Sequence, residues 1–173
     1  GFALFGLIKK KPPFVRLAAV DHPILGRLES SEKVSGVLGG AVTVGGMTID
    51  ISVAPDGDPM EAALALAADA VSMLAELDVR CRALVAADFL TSYNSEWRFG
   101  AVLKADGRTE EFEKPLLTEA QFVSALTPVA LDVTGAKLLS LSYTAGEMFW
   151  GHWVCITSFD GLTLTDTNVE LQG

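Results

Sequence analysis

The sequence is poor in cysteine, histidine and positive charge. Its 173 residues include two cysteines, two histidines and 13 lysines and arginines, against 22 aspartates and glutamates. Two cysteines cannot build the disulfide framework of a small secreted domain, so we expect Cys81 and Cys155 to be free, buried thiols in a reducing cytoplasm. The formal net charge of −9 argues against nucleic acids and anionic membranes as partners, because both are bound by cationic patches. It permits a basic protein partner.

Long apolar runs are also missing. No segment is long and uncharged enough to cross a bilayer, so we expect no integral membrane segment. The opening apolar run is too short for this, and it precedes its lysines, whereas a signal peptide has them first. It is either a weak amphipathic membrane or partner anchor, or a loose arm or short helix docked on the domain, and we favour the second interpretation. The lysines and prolines of Lys9–Pro13 cannot continue a helix. We therefore expect an arm and hinge at residues 1–13 and a single domain at residues 14–173.

The sequence contains no recognisable signature of a common catalytic or cofactor site. The glycine-rich stretch at residues 35–46 lacks the lysine and hydroxyl residue of a phosphate-binding loop, and a hairpin explains its glycines better. There is no Gly-x-Ser-x-Gly elbow. His22 and His152 have no partners at the spacing of a metal site. We expect neither a metal nor a cofactor.

Strands are predicted in the first third of the chain and helices in the middle. Residues 24–29 fit a short strand, and residues 37–54 fit a hairpin around Gly45-Gly46. Asp58 fits an N-cap, and the apolar period after it predicts a helix. Asp78 would fall on the apolar stripe of that helix. We therefore expect the helix to end there and Asp78 to cap a second helix through residue 94.

The last part of the chain predicts a short helix and then strands. Thr118 and Gln121 form a capping-box pattern for a helix over residues 119–126. The expected antiparallel strands cover residues 129–133, 137–144, 148–158 and 162–170, with an Asp160-Gly161 turn before the last one. The prediction is an α+β fold: an antiparallel sheet, made of the N-terminal hairpin and a C-terminal meander, with the two central helices packed on one face.

The stretch "EMFWGHW" at residues 147–153 is the most unusual in the chain. On a strand, Trp150 and His152 would share one face with Val154, and Phe149 would lie on the other. Both faces are apolar, so we expect a central strand whose rings fill both sides of the sheet. On this interpretation Trp150 belongs to the core.

His152 is the best single candidate for chemistry. As a general base it would need an orienting carboxylate, and Asp166 or Glu170 on the adjoining strand could supply one. Cys155 would lie on the opposite strand face and cannot form a dyad with it. The competing interpretation, which we favour, is a half-buried histidine hydrogen-bonded to one carboxylate.

Several motifs together resemble an uncharacterised bacterial family, domain of unknown function 2262. They are "MFWGH", the closing "DTNVELQG", the central "LTSYNSEW" and the opening "LFGLIKKKPPF" followed by "DHPILG". The resemblance implies no reaction. It marks the following positions: Phe149, Trp150, Gly151, His152, Tyr93, Asn94 and Trp97. Of these, Tyr93, Asn94, Trp97 and Trp150 are our candidates for a binding surface.

The function predicted is a non-enzymatic cytoplasmic binding or protein-interaction module, in one version an immunity-type or regulatory protein that masks a basic partner. The alternative is a small hydrolase-like enzyme that uses His152 with an acidic residue. A deep pocket around His152 would favour the enzyme, and a flat patch over a buried His152 would favour the binding module.

Overall fold

The computed structural model describes residues 10–173, so residues 1–9 of the expected arm lie outside the described part. Residues 10–173 form three α-helices and ten strands. They also form a π-helical turn at Tyr93–Trp97 and a 3₁₀ turn at Gly161–Thr163. The elements are β1 (Val20–His22), β2 (Gly26–Ser30), β3 (Leu38–Val44), β4 (Met47–Ala54), α1 (Met60–Ser72), α2 (Leu74–Ser92), β5 (Phe99–Leu103), β6 (Thr109–Glu113), α3 (Glu119–Ser124), β7 (Thr127–Thr134), β8 (Leu138–Thr144), β9 (Trp153–Ser158) and β10 (Thr167–Gln172).

Eight strands form one sheet in the order β1-β2-β3-β4-β7-β8-β9-β10, and β5 and β6 form a separate hairpin. Most neighbours are antiparallel, as predicted, but β4 and β7 run parallel, with Ile51 opposite Leu131. The expectation of a fully antiparallel sheet is therefore wrong. The cause is the crossover between these strands, which contains all three helices and returns the chain in the same direction. The result is a mixed α/β structure with a large, mostly antiparallel sheet.

The predicted N-terminal hairpin is confirmed. Val44 pairs with Met47, and the two residues between them, Gly45 and Gly46, have φ angles of 56° and 81°. A two-residue turn with both residues at positive φ matches the twist of the strands, and glycine adopts it without strain.

One face of the sheet is apolar and buried, while the other is polar. The buried side includes Ile49, Ile51, Val53, Leu131, Val133, Leu139, Leu141, Tyr143, Val154 and Ile156. The alternate residues include Asp50, Ser52, Asp132, Ser140, Thr157, Asn168 and Glu170. α1 contacts β4 and β7, and α2 contacts β9 and β10.

The expected role of Asp58 as a helix cap is wrong. α1 begins at Met60 without a side-chain cap. The Asp58 carboxylate instead accepts a hydrogen bond from the Ala136 amide at 2.8 Å, in the β7–β8 turn. The Asp58 carboxylate therefore accepts from the N–H of Ala136, which is distant in sequence, and not from the N–H groups of the first turn of α1, as the sequence pattern suggested.

Asp78 does not separate the two helices either. The break lies at Met73, and Asp78 is inside α2, only 9% exposed. Its carboxylate accepts hydrogen bonds from the Tyr143 hydroxyl at 2.6 Å and from Arg82 Nε at 2.9 Å. A charged group can occupy an apolar stripe when such partners satisfy it. Burial also raises the pKa of Tyr143, and it raises that of the neighbouring Cys81 to about 12.

The capping box that begins α3 is confirmed. The Thr118 hydroxyl accepts from the Gln121 amide at 3.2 Å, and the Gln121 side chain accepts from the Thr118 amide at 2.9 Å. The helix ends at Ser124, two residues earlier than expected, and β7 begins at Thr127.

Two of the expected C-terminal strands start later than predicted. Most of "EMFWGHW", residues 147–151, lies in a turn, and β9 begins only at the last residue of the motif, Trp153. Trp150 and Gly151 have successive φ angles of 57° and 81°, which a strand cannot contain. Likewise, Asp160-Gly161 is not a two-residue hairpin turn. A longer loop over residues 159–166 precedes β10, because the Asp160 carboxylate collects hydrogen bonds from Thr165 and Asp166.

Two further features concern the sequence-based expectations. Cys81 and Cys155 are both buried and free. Within residues 10–173, no helix combines the length and apolar character that crossing a membrane requires.

Candidate binding surface

The two motifs that the sequence singled out, "YNSEW" and "FWGH", meet in space around Phe149. The Phe149 ring is fully buried and makes edge-to-face contacts with four other rings. The ring centroids lie 5.5 Å away for Trp97, 5.7 Å for Phe89, 5.9 Å for Tyr93 and 6.1 Å for Phe122. Such pairs stabilise a core beyond the apolar area they bury. Phe149 therefore anchors the turn to α2 and α3.

The π-helical turn at Tyr93–Trp97 positions two of these rings and also fixes a loop. The Asn94 side chain makes two hydrogen bonds to the backbone of Leu117. Nδ2 donates to the Leu117 carbonyl and Oδ1 accepts from the Leu117 N–H, both at 2.9 Å. Arg98 Nε donates to the Asn94 carbonyl at 2.7 Å. Asn94 thus joins the end of α2 to the segment before α3, which is a structural role. π-helical turns are found frequently at functional sites.

Trp150 follows Phe149 in the chain but, unlike it, lies at the surface. Its side chain is 46% exposed, and the indole packs on Phe112 of the β5–β6 hairpin with a centroid distance of 5.5 Å. Gly100 lies beneath both rings, and a Cβ there would be 2.4 Å from each of them. Lys114 Nζ is 5.8 Å from the centre of the indole and donates to the Glu147 carbonyl at 2.8 Å. We call Trp150, Phe112, Gly100 and Lys114 the Trp150 surface.

The backbone of Trp150 is strained. A φ of 57° is rare for a bulky side chain and costs on the order of 1–3 kcal/mol. Residues in such conformations cluster at ligand clamps and active sites. Here the conformation turns the indole away from the Phe149 cluster and onto the hairpin. The expectation that Trp150 fills the core is therefore wrong, since the left-handed turn breaks the strand alternation on which it depended.

His152 lies beside the aromatic cluster. Its ring centroid is 6.3 Å from that of Trp97, and its amide donates to the Phe149 carbonyl at 3.0 Å. The two carboxylates proposed as its partners lie elsewhere: Asp166 follows the far end of β9, where its carbonyl accepts from Phe159, and Glu170 is opposite Cys155. The structure brings His152 together with Trp97, not with Asp166.

The β5–β6 hairpin contributes to this surface although the sequence predicted no element between the second and third helices. The available signal was Phe112, a single aromatic residue within the acidic run "EEFE". Its side chain supports Trp150 on the face opposite to Glu111 and Glu113, and its cross-strand partner Gly100 has no side chain to block the contact.

No group of three histidine, cysteine, aspartate or glutamate side chains within residues 10–173 is arranged to hold a metal ion. The Trp150 surface instead contains two packed aromatic rings, those of Trp150 and Phe112, and one cation, Lys114.

The comparison with protein families gave one match. The model of an uncharacterised protein family conserved in bacteria, DUF2262, matches residues 22–168. The chain belongs to this family. The resemblance inferred from the sequence motifs is thereby confirmed: "LTSYNSEW" and "MFWGH" fall inside the matched range, whereas "LFGLIKKKPPF" precedes it, "DHPILG" begins one residue before it and "DTNVELQG" extends past its end. The comparisons with curated proteins and with solved structures found no match.

Proposed function

We propose that the protein is a non-enzymatic, cytoplasmic binding module that recognises a basic protein partner through the Trp150 surface. The observation that carries the proposal is the conformation of Trp150. A half-exposed indole is held in a strained backbone conformation of a kind that clusters at ligand clamps and active sites. Tryptophan is the residue type most enriched among the energetic centres of protein interfaces.

The support beneath Trp150 suits a rigid contact residue. The indole packs against the Phe112 ring and directly above Gly100. Little side-chain freedom therefore remains to be lost on binding. A preorganised aromatic side chain loses less entropy when a partner docks and therefore contributes more to affinity.

The overall charge of the chain favours a basic partner. The neighbouring segment, residues 99–114, is close to balanced, with four acidic side chains, Asp106, Glu110, Glu111 and Glu113, and three basic ones, Lys104, Arg108 and Lys114. The whole chain has a formal net charge of −9. Complementary charge accelerates encounter and rejects acidic competitors, while the aromatic contact supplies affinity. The same charge disfavours nucleic acid.

The proposal includes a scaffold in which α1 and α2 cover one face of the sheet. The Tyr143 hydroxyl on the apolar face donates a hydrogen bond to Asp78 of α2, and α1 contacts the neighbouring strands β4 and β7.

We also propose that residues 14–173 are the folding unit. The first described contacts with the body start at Val15, whose N–H donates to Ser35 Oγ at 2.7 Å. A chain that begins at Phe14 should then melt within a few degrees of the full chain, and a collapse of stability would contradict this boundary.

The binding role is tested by affinity purification from the source cell with three baits: wild type, Trp150→Ala and Trp153→Ala. Trp153 is the matched control, because it is also 46% exposed but lies at the start of β9. We expect a basic protein to be captured by the wild type and by Trp153→Ala and to be lost with Trp150→Ala, while circular dichroism shows both variants folded. Capture of the same proteins by all three baits, or of none, would contradict the proposal.

A further inference from the structure

A second feature lies at the other end of β9, away from the Trp150 surface. It is an open cavity of about 400 Å³ between the β7–β8 turn, the loop after β9 and α1. Its apolar lining comes from Leu66, Ala136, Phe159 and Leu162, and its one cationic side chain is Lys137. Cavities that hold small molecules measure about 300–1,000 Å³ and combine an apolar lining with a few polar groups.

The walls of the cavity are fixed by hydrogen bonds to the backbone. The Gly161 amide donates to the Lys137 carbonyl at 2.7 Å, which joins the loop to the turn. The Ala136 amide donates to Asp58 at 2.8 Å, which joins the turn to the start of α1. Arg80 donates to the carbonyls of Leu162 and Thr163 at 3.0 and 2.7 Å. The cavity is therefore formed before any ligand arrives.

The one carboxylate in the wall is engaged within its own loop. Asp160 Oδ2 accepts from the Thr165 and Asp166 amides at 3.2 and 3.1 Å and from the Thr165 hydroxyl, and Oδ1 accepts from the Ser158 hydroxyl at 3.0 Å. Its part is to shape the loop.

Lys137 differs from Asp160 in this respect. Among residues 10–173, no carboxylate lies within ion-pairing distance of the Lys137 ammonium. The cavity thus combines an apolar surface with one exposed cation, Lys137, that makes no ion pair within residues 10–173, and one carboxylate, Asp160, that is bonded within its own loop.

We propose that this cavity binds a small organic monocarboxylate with an apolar or aromatic body. The ligand carboxylate accepts a charge-assisted hydrogen bond from Lys137 Nζ, and the body packs against Phe159, Leu66 and Leu162. The charge of Asp160 disfavours a second anionic group on the ligand. The site is independent of the proposed protein partner, because it uses none of the residues of the Trp150 surface.

The test uses three probes of one shape: 3-phenylpropanoate, its neutral amide 3-phenylpropanamide and the cation 3-phenylpropylamine. Binding to the full chain is followed by the NMR shifts of backbone amides. We expect saturable binding of the carboxylate at about 1 mM or tighter, with the largest shifts at Lys137, Gly161 and their neighbours. The amide and the amine should bind about tenfold more weakly or not at all.

Substitutions separate charge recognition from adsorption to an apolar surface. Lys137→Gln should weaken carboxylate binding about tenfold, Lys137→Arg should largely retain it, and the exposed Lys33→Gln should leave it unchanged. No saturable binding, shifts that map elsewhere, equal or tighter binding of the amide or the amine, or unchanged binding by Lys137→Gln would each overturn the proposal.

Discussion

The two loops that flank β9 are stabilised in opposite ways. The loop before it, residues 145–152, is held by rings: Phe149 is buried among four aromatic side chains and Trp150 rests on Phe112. The loop after it, residues 159–166, is held by hydrogen bonds, and the largest group of them converges on one carboxylate, Asp160, which accepts from Ser158, Thr165 and Asp166. The first depends on apolar packing and the second on a charge, so they should respond differently to mutation and to pH.

The contrast also separates neighbours within the first loop. Phe149 is fully buried, whereas Trp150 is 46% exposed. One residue anchors the loop and the next is presented to solvent. Under the proposed function, adjacent aromatic residues in one motif have a structural and a recognition role side by side.

The largest effect is expected from Phe149→Ala. Removal of the central ring leaves a cavity lined by four aromatic side chains, so the free energy of unfolding should fall by about 3–5 kcal/mol. Urea denaturation measures this directly. A loss below about 1 kcal/mol would mean that the aromatic cluster does not hold the loop.

Trp150→Ala should cost clearly less, about 1–2 kcal/mol, because only about half of the indole is removed from water. The same denaturation experiment gives the comparison with Phe149→Ala. Equal losses for the two variants would show that Trp150 is a core residue in solution and would remove the distinction between anchor and contact residue.

The second loop should be sensitive to acid. Hydrogen bonds, first of all from the Thr165 hydroxyl, hold the pKa of Asp160 below its usual value. A carboxyl whose pKa is lowered by folding stabilises the native state above its unfolded pKa of about 3.9, and this stabilisation is lost as the pH falls through the folded value. Asp160→Asn should therefore be less stable than the wild type at pH 7, and the difference should shrink as the pH falls below about 4.

Urea titrations at several pH values test this prediction. Asp88→Asn, on the exposed side of α2, controls for the loss of one negative charge. A difference between wild type and Asp160→Asn that stays constant from pH 7 to about pH 3 would contradict the role assigned to the carboxylate.

The sequence predicts local features better than tertiary ones in this protein. The Gly45-Gly46 hairpin and the Thr118–Gln121 capping box were both found, because each depends on residues within a few positions of one another. The placement of Asp78 was not, since its partner Tyr143 lies 65 residues further along the chain. The polar residue that looked like a helix boundary is buried because of that distant hydroxyl.

The candidate site shows the same limit. The motifs identified Tyr93, Trp97, Phe149 and Trp150, but alternation alone placed Trp150 in the core. Alternating rings suit a strand covered on both faces as well as a turn that packs one ring inward and the next outward. The choice between them depends on Gly100 and Phe112, which come from a hairpin about 40–50 residues earlier and carry no signal at positions 147–153.

The central structural claim is that the backbone of Trp150 is strained, and the most direct test compares Trp150→Gly with Trp150→Ala. Both remove the indole, but only glycine adopts a φ near 57° without a steric cost. We predict that urea denaturation will find Trp150→Gly more stable than Trp150→Ala by about 1 kcal/mol, the reverse of the order at ordinary positions. A Trp150→Ala variant as stable as Trp150→Gly, or more stable, would contradict the account.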